Sequence, residues 1–144
     1  MQTWRVINTN VASANLNMAI DEALLYNFKD KNLPIFRIYR WKPSISLGKF
    51  SKIQNSINLN NLKIPFVHRI TGGGILIHGR DISYSLILPN SKERSVKENY
   101  RYLSGFLINF YAKLNFKANF TCDLNIKEKK SNICLVGNYN GLKI

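Results

Sequence analysis

The segment HRITGGGILIHGRDISYSLILP, from His68 to Pro89, most constrains how this chain can fold. Gly72, Gly73 and Gly74 stand between apolar stretches that read as strands, and a run of glycine does not sit inside a strand or helix without cost. The chain is expected to break here, where glycines allow backbone conformations closed to residues with a β-carbon. Glycine also lets a ligand approach the main chain closely, and successive N–H groups can converge on a carboxylate or phosphate. Arg69 adds a fixed positive fork and Thr71 a hydroxyl. In strand geometry Ile75 and Ile77 share one face and Leu76 and His78 the other, which sets His78 beside the glycines. A plain hairpin turn, with His78 a hydrogen-bonded strand residue, accounts for the same spacing. TGGGILIHG has neither the Gly-Lys-Ser/Thr ending of a Walker A loop nor the GxGxxG spacing of a dinucleotide fingerprint.

Around this segment the periodicity is legible. NLNMAIDEALLYNF, Asn15 to Phe28, puts Leu16, Ile20, Ala23, Leu24 and Phe28 on one helical face, with Ser13 or Asn15 as N-cap. IFRIYRW and SISLGKF alternate apolar and polar residues on either side of KPS, which predicts two antiparallel strands around a turn. IPFVHRI, ILIHG and ISYSLILP predict further strands. SVKE at Ser95 to Glu98 has capping-box spacing, followed by Val96, Tyr100, Leu103, Leu107, Phe110 and Leu114 at helical intervals. The final segment reads as short strands and turns. Strands between two helices predict an α+β fold with a mixed, largely antiparallel sheet, in one domain over residues 1–144.

Charge narrows the partners. Lys and Arg total 21 against 8 Asp and Glu, a formal charge of +13, so nucleic acid, a membrane surface or an acidic protein would each be attracted. The Lys, Asn and Ile richness also fits a coding bias. The basic residues are scattered, and KEKK at Lys127 to Lys130 reads as a solvated turn. Tyr100, Arg101 and Tyr102 lie in a helix whose aromatic positions read as core, so nucleic acid is not favoured. No apolar run approaches the ~18 residues of a membrane span. Cys122 and Cys134 lack CxxC spacing and no secretory signal precedes them. A reduced cytoplasmic protein is the economical reading, and no metal-ligand set stands out.

HRITGGGILIHGRDISYSL resembles the RRxTGGGxxxHxxxxxYS segment of the biotin/lipoate protein ligase family, in its branch of lipoate–protein ligases and octanoyltransferases. NLNMAIDEALL is similar to that family's first helix, and FRIYRWKPSISLGKF to its arginine–tryptophan and SxG strands. The resemblance runs from about Trp4 to the end of the chain. It implies a class II synthetase-like catalytic fold and acyl transfer to a lysine on the acidic lipoyl domain of a 2-oxoacid dehydrogenase or the glycine cleavage H protein. In a ligase, ATP with Mg2+ converts lipoate to lipoyl adenylate before transfer. The resemblance places Arg69, Thr71, Gly72, Gly73, Gly74 and His78 around the acyl carboxylate and adenylate, and Tyr39 in the acyl pocket.

NGLKI resembles the start of the family's GxKIxG segment and makes Lys143 the candidate for stabilising charge on the acyl group. A terminal surface lysine is the alternative. ICLVG at Cys134 is similar to the nucleophile position of an octanoyltransferase group, which takes octanoate from acyl carrier protein and uses no ATP. A buried small hydrophobe is the other reading of Cys134. Cys122 reads as structural, and Asp123 matches a family acidic residue only weakly. Three departures stand against the pattern: His68 replaces the first arginine, Ser51 stands where a glutamine is usual, and the chain ends at Ile144, before strands and a helix expected of the family. An abbreviated domain, or half of an enzyme completed by a second chain, is therefore expected. ATP-dependent lipoate ligation is the leading expectation; octanoyl transfer and an inactive binding module are the alternatives.

Overall fold

The computed structural model describes residues 3–29, 33–51, 63–89, 93–120, 138–139 and 142–143. It is an α+β fold divided into two units, Met1–Asn90 and Ser91–Ile144. The first unit contains β1 (Arg5–Ala12), α1 (Ala14–Tyr26), β2 (Ile35–Trp41), β3 (Ser44–Leu47), β4 (Phe66–His68), β5 (Ile75–His78) and β6 (Ile82–Ile87). These strands form two three-stranded sheets, ordered β1-β2-β6 and β4-β3-β5. In each the central strand has one parallel and one antiparallel neighbour: β1 and β4 run parallel to theirs, β6 and β5 antiparallel.

The expected hairpin of β2 and β3 does not form, because the two strands are the centres of different sheets. Lys42 and Pro43 explain why. A tight hairpin needs positive φ at its turn, whereas proline is fixed near −65° and pushes the residue before it into extended conformation. The chain therefore continues outward across the gap, held by Lys42 N–H to Ala12 O (2.9 Å) and Ser44 Oγ to Lys42 O (2.8 Å).

Helix α1 begins at Ser13, whose side chain accepts from Leu16 N. The face it buries differs from the one its apolar spacing predicts. Ala14, Asn17, Met18 and Asp21 turn inward, while Leu16 is 52% exposed. Ile20, Ala23, Leu24 and Phe28 instead line a shallow depression of about 300 Å³ with Arg5, Asn27 and Ile35. Strand β2 supplies the reason. Its inward row is Ile35, Arg37, Tyr39 and Trp41, and Arg37 is fully buried. A buried guanidinium without partners is far costlier than a half-exposed leucine, so the polar pair Asn17 and Asp21, one helical turn apart, is drawn inward. Ala14, Met18, Tyr39 and Trp41 pack as the apolar part of that layer, joined by Val67; Ile45 and Leu47 form a second cluster with Ile75. Strand β1 has no counterpart in the sequence reading, since its alternating Asn and Thr residues mask an edge strand.

In the second unit, α2 (Val96–Lys113) starts with the expected capping box. Glu98 N–H donates to Ser95 Oγ and Ser95 N–H to Glu98 Oε2 (2.8 Å). Its aromatic residues are not core as expected: Tyr102 and Phe110 are exposed, and the Arg94 guanidinium lies over the Tyr102 ring at 4.2 Å. The strands β7 (Asn138–Tyr139) and β8 (Leu142–Lys143) pair antiparallel.

Candidate functional site

The glycine segment lies between β4 and β5, beside the residues that leave β3. Its main-chain carbonyls all face protein donors. Thr71 O accepts from Lys49 N–H (2.9 Å), and Gly74 O from Gly48 N–H (3.1 Å). Arg69 Nη2 donates to Gly72 O (3.1 Å) and Gly74 O (3.0 Å), and Ser51 Oγ donates to Gly73 O (2.9 Å). Among the described residues the N–H groups of Gly72, Gly73 and Gly74 have no acceptor. The loop is thus held by its carbonyls, which leaves its N–H groups available to a ligand such as an anion.

Two glycines are required by that geometry. Gly73 has a φ of +100°, in the left-handed region. Gly48 is buried against the loop, where a β-carbon would collide with Gly73 O. Gly72 and Gly74 have open space where a side chain would project, so nothing within the fold itself excludes alanine there.

Arg69 and His78 are brought together with this loop, though not in the way the sequence implies. Arg69 is spent internally: Nη2 holds the loop, and Nη1 donates to Ser46 O (3.0 Å) and Ser46 Oγ (2.7 Å). Burial lowers its pKa from the usual arginine value, and the Tyr39 phenol nearby opposes that shift. His78 is 8% exposed, with Trp41 stacked on its ring at 4.0 Å. Its Nε2 lies 2.6 Å from Ser46 Oγ and its Nδ1 2.7 Å from Asp81 Oδ2. The Asp81 carboxyl also accepts from Gly79 N–H and Ser83 Oγ. Burial pushes its pKa up, but hydrogen bonds from His78 and Gly79 outweigh that and hold it below the usual carboxylate value.

Tyr39 belongs to the neighbouring polar layer. Its hydroxyl donates to Asp21 Oδ2 (2.8 Å), and the Arg37 guanidinium lies over its ring at 3.9 Å. Burial, then the Asp21 carboxylate, raise its pKa far above that of a free tyrosine. Arg37 donates to Asp21 Oδ1 (2.6 Å), Asn17 Oδ1 (2.8 Å), Asn17 O (3.0 Å) and Thr9 Oγ1 (3.1 Å), and Ser85 Oγ donates to Asp21 Oδ1 (2.8 Å). Thr71 is exposed on the loop, and His68 is exposed at the end of β4. Cys134, with Cys122 and Asp123, lies outside the described residues; Lys143 is described only as backbone in β8. Sequence reading missed Ser46, Asp81, Asn17, Asp21 and Arg37. Arg37 was available as a signal, since it falls in phase with Ile35, Tyr39 and Trp41.

A family described as the lipoyl protein ligase A/B catalytic domain matches residues 13–137. The chain belongs to that family. Octanoyltransferase LipM of Bacillus subtilis (strain 168) is 36% identical over 138 residues, covering 90% of this chain and 50% of its own length. LipM of Clostridioides difficile (strain 630) is 34% identical over 139 residues, covering 91% and 50%. The chain therefore spans about half the length of the curated relatives it matches. Among solved structures, lipoate-protein ligase A bound with ATP superposes with a TM-score of 0.75 at 25% identity, covering 89% of this chain and 53% of that one. A bi-partite lipoate protein ligase from Thermoplasma acidophilum, studied with its E2 lipoyl domain, gives 0.76 at 23% identity, covering 83% and 48%, and shares the fold.

Proposed function

We propose that the chain serves octanoyl transfer, moving an acyl group from a carrier-protein thioester to a lysine of a lipoyl domain. The observation that carries this reading is the loop Gly72–Gly74, whose carbonyls are tied back so that the N–H groups can meet an acyl oxygen as negative charge builds on it. The octanoyltransferase relatives favour this over ATP-dependent lipoate ligation, which ranked first from the sequence. The family match across residues 13–137 supports reading 1–144 as one lipoate ligase-like catalytic domain.

The chemistry follows from the residue types. A Cys134 thiolate attacks the acyl thioester, the bond to the carrier sulfur breaks, and the carrier thiol departs with a proton. The acyl-Cys134 thioester then meets the acceptor lysine amine; an amide forms and the Cys134 thiol is regenerated. Cys134 and Lys143 enter by resemblance, Lys143 as a cation beside the developing charge. The +13 charge suits an acidic lipoyl domain, from a 2-oxoacid dehydrogenase or the glycine cleavage H protein, and an acidic acyl carrier protein. A cytoplasmic setting is part of this proposal. Among the described residues no helix is long and apolar enough to cross a membrane.

The fold shared with an ATP-bound ligase favours ATP-dependent ligation as the second reading. Available N–H groups also suit a phosphate. Magnesium, by contrast, needs oxygen ligands, and the Asp21 and Asp81 carboxylates are occupied by protein donors. No group of three or more His, Cys, Asp and Glu is gathered among the described residues.

Mass spectrometry of a lipoyl domain incubated with the purified chain tests the proposal. An octanoyl mass gain from octanoyl carrier protein without ATP, lost in Cys134→Ala, is the expected result. A lipoyl gain only with lipoate, ATP and Mg2+ would establish the ligase instead. No gain in either arm would mean that these residues do not suffice for transfer or only bind.

A further inference from the structure

The line from Arg69 through the buried Ser46 and His78 to Asp81 has a direction that can be worked out. Arginine only donates, so Ser46 Oγ accepts from Arg69 Nη1. An ionised carboxylate only accepts, so the 2.7 Å contact of Asp81 Oδ2 with His78 is attractive only if Nδ1 carries the proton. When the ring is neutral, Nε2 is left as an acceptor, and the Ser46 hydroxyl donates to it across 2.6 Å. Every hydrogen bond thus points the same way, from the guanidinium cation to the carboxylate anion, the arrangement in which successive bonds polarise one another. The other neutral tautomer would set a nitrogen lone pair against Asp81. It would also aim two donors at Ser46 Oγ, whose side chain is fully buried.

The connectivity Ser46–His78–Asp81 is that of a hydrolase triad, but burial of Ser46 and its bond from Arg69 deny it the part of a nucleophile. Nor is His78 open to substrate: both ring nitrogens are engaged and Trp41 covers a face. What the line does reach is the loop, because the guanidinium anchored at Ser46 by Nη1 holds Gly72 O and Gly74 O by Nη2.

The geometry points to Ser46, His78 and Asp81 as positioning residues that set the glycine loop through Arg69, with His78 held as its Nδ1–H tautomer and making no contact with substrate. This revises the role that resemblance gives His78. It rests on the proposed function only for the statement that the loop serves acyl transfer.

Nuclear magnetic resonance tests it without turnover, so failure of the acyl-transfer reading would leave the result intact. The full chain is labelled with 15N-histidine and 15N-glycine and studied in mildly alkaline buffer. His68→Gln assigns the ring signals, since there are only two histidines. The expected result is an Nδ1–H ring for His78, with Gly72 and Gly74 amide signals displaced in Asp81→Asn and returned toward their positions in Asp81→Glu. A far-ultraviolet circular dichroism spectrum and a urea midpoint close to those of the unmodified chain are the folding controls. An Nε2–H ring or an imidazolium in the unmodified chain would overturn the proposal. So would an Asp81→Asn chain that changes the His78 ring signals and leaves both glycines in place. Should Asp81→Asn not fold, the ring tautomer of the unmodified chain decides alone.

Discussion

Replacing Asp21 by alanine tests whether the polar layer organises the first unit. Asp21 Oδ1 accepts from Arg37 at 2.6 Å and from Ser85 at 2.8 Å, and Oδ2 from Tyr39 at 2.8 Å. The Arg37 and Asp21 side chains are 0% and 8% exposed, so water cannot replace the lost carboxylate without opening the structure. Removing one partner of a buried ion pair costs about 3–5 kcal/mol. Asn17 and Thr9 still accept from Arg37, which sets the expectation at the lower end, about 3 kcal/mol. Against a typical domain stability of about 5–15 kcal/mol, that leaves a partly unfolded chain in mild denaturant. Urea titration followed by circular dichroism measures it. Leu16→Ala is the control: it truncates the helix face that hydrophobic spacing singles out, yet Leu16 is 52% exposed, so its cost is expected within about 0.5 kcal/mol. A larger loss from Leu16→Ala than from Asp21→Ala would refute the inward placement of Asn17 and Asp21.

Gly73→Ala, at a φ of +100°, should lower the thermal midpoint, whereas Gly72→Ala, with open space around it, should leave the midpoint unchanged and reduce acyl transfer. Arg69→Lys should behave like Arg69→Ala in the transfer assay, because an ammonium cannot span Ser46 and two loop carbonyls together; near-normal activity in the lysine variant would show that charge alone matters. The Tyr39 pKa is raised on folding, so its contribution to stability is complete below a free tyrosine's pKa, about 10, and is lost as pH rises through the folded value. Urea midpoints measured on either side of pH ~10 should therefore fall more for the unmodified chain than for Tyr39→Phe, and equal slopes would refute the burial of that hydroxyl.

Local features of the chain were legible from the sequence. The Ser95 capping box, the break at Gly72–Gly74 and the alternation that sets His78 on the face opposite Ile77 each depend on a few neighbouring residues, and each holds in the structure. What pattern reading could not supply was the partner across space. Apolar periodicity ranks Leu16, Ile20 and Leu24 above Asn17 and Asp21, and only the buried Arg37 reverses that order. In the same way Ser46 is a small polar strand residue until β3 is seen between Arg69 and His78. The turn at Lys42 and Pro43 could have been read correctly, since proline's fixed φ already argues against a tight hairpin.

The use made of Arg69 bears on the choice between the two acyl chemistries. A triphosphate calls for cations whose donors face it, and in P-loop proteins a lysine reaches the phosphates beside the backbone cradle. Here the guanidinium that resemblance places around the acyl carboxylate and adenylate sends both terminal nitrogens to Ser46 and to the loop's own carbonyls. Its charge still raises the local potential, but its hydrogen bonds are committed to holding peptide groups. Oriented peptide dipoles with no reorganisation left to perform are well matched to a single carbonyl oxygen that gains charge during thioester attack. The internal commitment of Arg69 therefore fits the octanoyl transfer proposed above, in which the loop's peptide groups and not the guanidinium meet the acyl oxygen.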